Sequence, residues 1–341
     1  MPFEGVDPWR WQYFEGVDCP ESTVIPIDDP TGWRLYPDYR DVYNKLFVCE
    51  SQGIPHGPHG VMPKTFPVFS KPAMNLHGMG IGGRVLRSAA ECEANFTPGH
   101  MWMQLLRGRH ISTDVALASG VPRWWRHTVG NALPRGMFDY WTVLARPLPR
   151  LERYLRAWIR RNLRGFTGIV NFETIGGMII ECHLRMSEQW VDLNGPGWLE
   201  SVVTLYVRGT WHVAARAKTG YSIVLFGSHG TEYAIAPGAV DELRRRPGLS
   251  SIQITYRTDK PREQHAMPPG GFRLAIVNAW SLAAGLATRR RLKHLFMVAS
   301  PNGRGHFAID GLLRGRCRPP GWAAAPGRAE SAAEPAEPVR R

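Results

Sequence analysis

Residues 168–185 read Gly168-Ile-Val-Asn-Phe-Glu-Thr-Ile-Gly-Gly-Met-Ile-Ile-Glu-Cys-His-Leu-Arg185. Apolar, β-branched runs on either side of Ile175-Gly176-Gly177 predict two short strands around a tight turn. Side chains alternate along a strand, so Glu181, His183 and Arg185 share one face while Ile180, Cys182 and Leu184 take the other. A neighbouring strand brings Glu173 onto the polar face. Two carboxylates and an imidazole, Glu173, Glu181 and His183, then lie within reach of one cation. Hard oxygen donors suit Mg²⁺ or Mn²⁺ with positions left open for phosphate oxygens. Arg185 beside them is placed to stabilise charge on a transferring phosphoryl group.

A complementary pattern lies about a hundred residues earlier. Phe66, Val68 and Phe69 predict a strand that ends at Lys71-Pro72, and the glycine loop His77-Gly78-Met79-Gly80-Ile81-Gly82-Gly83 follows. Glycines let backbone N–H groups approach phosphate oxygens, and a lysine adds a compact point charge. This earlier segment can hold a polyphosphate, and residues 173–185 the metal it carries.

Working outward, Val42, Leu46, Phe47 and Cys49 recur at helical spacing and stop at Gly53, which predicts a helix presenting Lys45. Residues 1–37 carry Trp9, Trp11 and Trp33 with little periodicity and read as an irregular arm packing through aromatics. A strand over Trp102–Leu106, a turn at Arg107-Gly108, a strand over His110–Ala118 and a turn at Ser119-Gly120 predict an antiparallel meander within one sheet. Leu151, Tyr154, Leu155 and Trp158 share one face of a helix over residues 151–163, with arginines opposite. Trp198–Val207 and Phe272–Lys293 read as helices, Tyr221–Phe226 and Ile252–Tyr256 as strands. From about residue 318 the chain is Pro/Ala/Glu/Arg-rich and reads as a disordered tail.

The 341 residues, 43% hydrophobic and 21% charged, have globular composition and suffice for one large or two modest domains. No apolar run reaches the roughly eighteen residues of a membrane span, and the first residues lack the basic-then-apolar order of a signal peptide. A cytoplasmic protein is expected. The five cysteines, Cys19, Cys49, Cys92, Cys182 and Cys317, are scattered without a C-x-x-C, so neither a zinc site nor a disulfide framework is indicated. Cys182 reads as a small buried apolar residue. His56 and His59, flanked by turn residues, read as loop histidines. A net charge of +13 is compatible with nucleic acid, an acidic membrane surface or an acidic small substrate. The clusters at Arg153/Arg156/Arg160/Arg161/Arg164, Arg244–Arg246 and Arg289–Lys293 lack the interleaved aromatics of a nucleic-acid module and read as solvated helix faces.

In order and spacing these elements resemble the ATP-grasp superfamily, over about residues 38–208. Asn44-Lys45-Leu46 with Gln52-Gly53-Ile54-Pro55 is similar to the family's lysine helix followed by G-I-P. Phe66-Pro-Val-Phe-Ser-Lys71-Pro72 is similar to its P-V-V-x-K-P strand, and His77–Gly83 stands where its glycine-rich lid lies. Met101-Trp-Met-Gln104-Leu105-Leu106-Arg107-Gly108 resembles the interdomain hinge, where Gln104 and the backbone at Leu105 and Leu106 meet adenine. His110 stands at the ribose-contacting position. Glu173, Glu181, His183 and Arg185 fall on the family's acid and E-x-N-x-R, with histidine in place of asparagine.

The resemblance implies an α+β protein of two subdomains whose antiparallel sheets clamp a nucleotide. It implies ATP contacted by Lys45, Lys71, Gly78, Gly80, Gly82, Gln104, Leu105, Leu106 and His110. Mg²⁺ or Mn²⁺ would be held by Glu173, Glu181 and His183, and catalysis carried by Lys71 and Arg185. The implied activity is ATP-dependent ligation, in which a small-molecule carboxylate becomes an acylphosphate captured by an amine or thiol. A catalytically degenerate nucleotide- or polyanion-binding protein and a small-molecule kinase of the same fold remain as alternatives; nucleic acid is not favoured as a partner. The Rossmann-like substrate subdomain that many relatives carry before the lysine helix has no counterpart, so residues 209–317 are the expected acceptor region.

Overall fold

The computed structural model describes residues 2–298 apart from 79, 135, 213–217, 237, 261–267 and 269. The expected tail from residue 318 lies outside the described residues. Alternating polar and apolar residues over 110–132 build the centre of an eight-stranded sheet. Its strands are β7 (His110–Ala118), β8 (Val121–Ala132), β9 (Phe138–Val143), β10 (Gly168–Ile175), β11 (Met178–His183), β12 (Gly220–Gly227), β14 (Leu249–Ile254) and β15 (Phe272–Ala279). They run in the order β11-β10-β7-β8-β9-β12-β15-β14, antiparallel throughout. The strands after residue 209 thus prolong the sheet that carries Glu173 and Glu181.

A smaller antiparallel sheet joins β3 (His56–Pro58), β4 (Val68–Pro72), β5 (Arg84–Leu86) and β6 (His100–Gln104) in the order β3-β6-β4-β5. The α4 turn (Ala89–Ala94) lies between its last two strands in sequence, capped by Ser88 on the Glu91 N–H. The meander expected to run from residue 102 in a single sheet is therefore two sheets, with β6 in the small one and β7 in the large one. The chain changes sheet across residues 105–109, where Gly108 backs onto the hairpin turn. A Cβ at Gly108 would stand 2.8 Å from the Gly176 Cα, and the Gly176 N–H donates to the Arg109 carbonyl at 3.1 Å. This close approach, which only hydrogen side chains permit, pins the crossover to the end of β10.

One face of the large sheet is covered by α5 (Pro149–Asn162). Leu151, Leu155, Trp158 and Ile159 pack on Val115, Leu117, Val170, Phe172, Ile179 and Cys182. The arginines Arg153, Arg156, Arg160, Arg161 and Arg164 stay exposed, as a solvated helix face requires. On the opposite face Ala116, Ala118 and Ile169 are covered by α6 (Trp198–Arg208) and by the N-terminal arm through Phe3, Phe14, Ile25 and Ile27. The arm is more ordered than its composition predicts. It contains the parallel pair β1 (Phe3–Glu4) and β2 (Ile25–Pro26), the turn α1 (Trp11–Phe14) and α2 (Asp29–Leu35). Trp33 packs edge-on against Tyr43, whereas Trp11 is 46% exposed. The lysine helix is α3 (Lys45–Glu50), and the short elements β13 (Tyr233–Ala234), α7 (Asp241–Arg244) and β16 (Met297–Val298) complete the described chain with α8 (Leu282–Leu295).

Two further expectations change. Phe272–Ala279 is a strand and only Leu282–Leu295 is helical. Sandwiched between β12 and β14 and covered by α8, β15 is buried on both faces, so it lacks the period-2 signature that separates a strand from a buried helix. Ile180 does not share a face with Cys182 and Leu184. A register shift pairs Glu173 with Glu181 but Thr174 with Ile179, and the bulged residue Ile180 turns toward the small sheet, where it packs with Met178 against Met101, Met103, Cys49 and Ile54.

The large core rests on α5, and Trp158 is its fully buried centre, with an indole N–H donating to the Ser51 hydroxyl at 2.8 Å. Trp158→Ala is expected to lower unfolding stability by about 3–5 kcal/mol, read as a fall in urea midpoint; a midpoint within error of wild type would show that α5 is not the principal cover of this face.

Candidate functional site

Strand register arranges the polar face of the large sheet in rows. Glu181, Glu173, Ser112 and Thr128 are successive Cα partners across β11, β10, β7 and β8, and His183, Asn171, Asp114 and Arg126 form the adjacent row. The rows adjoin the apolar positions that the arm and α6 cover. Polar groups in such a partly water-excluded setting need fixed partners, and most of these have them. The His110 Nε2 lies 3.0 Å from Glu173 Oε2, with the imidazole held edge-on by Phe138 and Trp141. Asn171 donates to Ser112 Oγ at 2.9 Å and to Asp114 Oδ1 at 2.8 Å.

Two lysines from the small-sheet side converge on Glu181. Lys45 opens α3, whose cap Asn44 accepts the Leu46 N–H, and the Lys45 N–H donates to the Ala73 carbonyl at 2.9 Å, tying the helix start to the end of β4. Lys71 lies in β4 opposite Met101. The two ammonium nitrogens stand 3.7 Å and 3.9 Å from Glu181 Oε1, and Lys71 Nζ donates to the Ile180 carbonyl at 2.8 Å. Both lysines are almost fully buried, with 4% and 6% of their surface exposed. Burial pushes the Lys71 ammonium down, partly offset by Glu181. Burial likewise pushes the Glu181 carboxyl up, but Lys45, His183 and Lys71 outweigh it and hold Glu181 ionised well below the usual carboxylate range. Glu173 is also lowered, since His110 outweighs burial.

His183 and Arg185 share a partner that the sequence reading missed. Asp29, in the first turn of α2, places both carboxylate oxygens 3.0 Å from His183 Nδ1 and Oδ2 3.1 Å from an Arg185 guanidinium nitrogen. The other face of the imidazole meets Glu181, with Nε2 3.5 Å from Oε2. Burial lowers His183, but Asp29 more than reverses this and raises it to about 9, while Arg185 and His183 overcome burial to bring Asp29 to about 2. The geometry places the His183 ring as a donor between two carboxylates, Nδ1 toward Asp29 and Nε2 toward Glu181. Nothing in the local pattern Asp28-Asp29-Pro30 beyond a helix start signals this role; Asp28 is the N-cap, accepting the Thr31 N–H at 2.9 Å.

Among the described residues no group of three or more His, Cys, Asp or Glu side chains is arranged to hold a metal ion. Mg²⁺ seldom uses such a cage: one or two carboxylates with substrate phosphates and water complete its octahedron. Glu173 and Glu181, paired across β10 and β11 and both ionised, fit that requirement.

The remaining expected residues lie in the crossover and in the loop that follows β4. Gln104 is exposed, with its N–H donating to the Pro55 carbonyl at 2.8 Å, and Leu105 and Leu106 are half-buried in the crossover. Leu106 joins Met101, Met103, Met178, Ile180 and Ile54 in an apolar cluster beside Lys71. In the glycine loop Gly78, Gly80 and Gly82 have φ of 67°, 62° and 78°; Met79 lies outside the described residues. Asn75 holds the loop entry, accepting the His77 N–H and donating to the Gly78 carbonyl. Gln52, within the G-I-P segment, bridges α3 to β11, donating to the Ile179 carbonyl at 3.0 Å and accepting its N–H at 2.8 Å. Cys182 is buried in the α5 core with its thiol pushed well up by burial, consistent with a packing role.

No protein-family model and no curated protein matches the sequence. Solved structures do. An L-amino acid ligase from Bacillus licheniformis is 13% identical, with 86% of this chain and 84% of that one covered at a TM-score of 0.58. Phosphoribosylamine–glycine ligase from Thermotoga maritima is 12% identical over 87% of each chain at 0.56. The biotin carboxylase domain of Hydrogenobacter thermophilus 2-oxoglutarate carboxylase, solved with MgADP, ADP and bicarbonate, is 13% identical over 82% of this chain and 70% of that one at 0.50. The chain has the ATP-grasp fold. In ATP-grasp terms the small sheet and α3 face the hairpin of the large sheet across the lysine–glutamate cluster, and Leu105–Arg109 is the crossover between the two α+β layers.

Asp114, on the same polar face, accepts the Ser187 N–H on Oδ1 at 3.0 Å. Burial raises Asp114 to about 6 against the opposing hydrogen bonds of Asn171 and Ser187. A carboxyl raised on folding is favoured when neutral, so its contribution to stability falls as pH rises from the unfolded value of 3.8 to about 6 and is constant above. The melting temperature of the wild type should fall relative to that of Asp114→Asn across this window and keep a fixed gap at higher pH. A gap independent of pH would show that Asp114 titrates as an ordinary exposed carboxylate.

Proposed function

We propose that the protein is an ATP-dependent ligase that activates a small-molecule carboxylate for capture by an amine or thiol. The observation that carries this reading is the convergence of Lys45 and Lys71, from α3 and β4, on a glutamate pair fixed by strand register, within a fold shared with ligases. Buried ammonium groups held at a loose 3.7–3.9 Å from Glu181 are poised to exchange part of that contact for polyphosphate oxygens. Mg²⁺, when bound, would neutralise phosphate charge and polarise the transferring phosphoryl group. Glu173 and Glu181 would hold it, and His110 orients the Glu173 carboxylate.

Adenine would lie beside the apolar cluster of Met103, Leu106, Met178 and Ile180 at the crossover, with the Gln104–Leu106 backbone along its edge. The glycine loop of Gly78, Gly80 and Gly82 would cover the phosphates and exclude water from a reactive acylphosphate. A substrate carboxylate oxygen attacks the γ-phosphorus and ADP leaves. The amine or thiol then attacks the acyl carbon, losing a proton as inorganic phosphate departs. Arg185 would face charge developing on the transferring group. β12, β14 and β15, which continue the same polar face, are where the acceptor would bind.

Calorimetric titration of Mg-ATP into wild type, Lys71→Ala and Glu181→Gln, with ADP release assayed in the same samples, tests the reading. Affinity is expected to fall by about tenfold or more in Lys71→Ala, and turnover to be lost in both variants while each remains folded. Wild type that binds no nucleotide with Mg²⁺ or Mn²⁺, or unaltered turnover in Lys71→Ala, would sink it. Product analysis separates a ligase from a kinase, since only a ligase forms the acyl bond.

A further inference from the structure

The segment that carries Arg185 has no ladder of its own. β11 ends at His183, so the arginine lies past the last paired residue, and a side chain with four torsions must be held by something else if it is to meet a transferring group in one geometry. The N-terminal arm holds it at two points. Asp29, 4% exposed, contacts the Arg185 guanidinium at 3.1 Å and His183 at 3.0 Å, while the second guanidinium nitrogen of Arg185 donates to the Met186 carbonyl at 3.2 Å. Three residues on, Glu188 forms an ion pair with Arg10, itself buried, and Arg10 Nε donates to Gln253 of β14 at 3.1 Å.

The approach of α2 to this segment depends on one residue. A Cβ at Gly32 would stand 2.5 Å from the Tyr43 hydroxyl oxygen and 3.0 Å from the Leu184 carbonyl oxygen. The Leu184 N–H in turn donates to that hydroxyl at 3.3 Å. Glycine at 32 thus lets the helix lie against the end of β11 and puts Asp29, one turn earlier, beside His183 and Arg185. Asp28 caps the same turn, so the carboxylate that reaches the arginine is delivered by a helix whose start is itself fixed.

We propose that Asp29 is a positioning residue for Arg185, and that the arm, through Asp29 and Arg10, is a component of the active site that holds residues 185–188 for phosphoryl transfer. The role of Arg185 in transfer rests on the reading given above; the restraint of its side chain does not. Asp29→Asn removes the charge with little change of shape, and Gly32→Ala keeps the carboxylate but crowds the Tyr43 hydroxyl and the Leu184 carbonyl, so that the packing of α2 on the end of β11 must shift.

Two readouts decide the proposal, each on the full chain with a melting curve recorded alongside. The first is the rate at which phenylglyoxal modifies Arg185, followed by peptide mass spectrometry with exposed Arg153 as internal reference. Loss of a charge-assisted pair should speed it by about tenfold or more in Asp29→Asn, and Gly32→Ala should raise it in the same direction. The second is turnover: kcat for ADP formation should drop about 10- to 100-fold, with the ADP dissociation constant within about threefold of wild type, because Lys45 and Lys71 are untouched. Arg185 modified at the wild-type rate in folded Asp29→Asn overturns the proposal, as does a loss of ADP affinity that keeps step with kcat. If Asp29→Asn does not fold, Gly32→Ala decides, and an unchanged modification rate there overturns it equally. Wild type without turnover overturns the ligase reading alone, leaving the modification rates to decide the restraint.

Discussion

Glu181 is the charge on which the site depends. Two lysines with only 4% and 6% of their surface exposed face it from separate elements, and His183 faces it from its own strand. A buried ammonium group without a counter-charge costs several kcal/mol, so this carboxylate permits Lys45 and Lys71 to wait in a dry position. Their distances from it, 3.7 Å and 3.9 Å, are longer than close charge-assisted hydrogen bonds. The arrangement latches the small sheet to the hairpin of the large one while leaving the ammonium groups with capacity for another anion.

The rest of the polar face extends the same logic. Glu173 has His110, Asp114 has Asn171 and the Ser187 N–H, and His183 and Arg185 have Asp29. Where charge is to develop during a reaction, dipoles and charges fixed in advance avoid the reorganisation that water would require. Strand pairing achieves this cheaply for β7, β10 and β11, because register alone puts the carboxylates opposite one another. Beyond His183 register ends, and the arm takes over. Its helix α2 supplies from outside the sheet the rigidity that a further strand residue would have supplied from within.

The legible parts of the site are those set by local spacing. Glu181 and His183 share a face by strand alternation, Glu173 joins them through a hairpin whose turn is spelled by two glycines, and α5 shows its apolar stripe at Leu151, Leu155 and Trp158. Lys71 at the end of a strand and Lys45 at the start of a helix were likewise readable as candidates. Ile180 was misplaced because a bulge adds a residue to one strand only, which alternation cannot anticipate. Phe272–Ala279 was misassigned because burial on both faces erases periodicity. The split of the expected meander into two sheets follows from Gly108 and Gly176 meeting across 68 residues, a contact no local pattern encodes.

By itself, then, the sequence determined the two lysine-bearing segments, the carboxylate pair and the order in which they occur, because helix and strand periodicities reach only as far as neighbouring side chains. Tertiary structure decided which lysines reach Glu181, that His183 lies between Asp29 and Glu181, and that an apparently irregular arm holds Arg185. Asp29 and Arg185 are 156 residues apart in the chain and 3.1 Å apart in space. That pairing depends on α2 lying against the end of β11, which the absence of a Cβ at Gly32 permits.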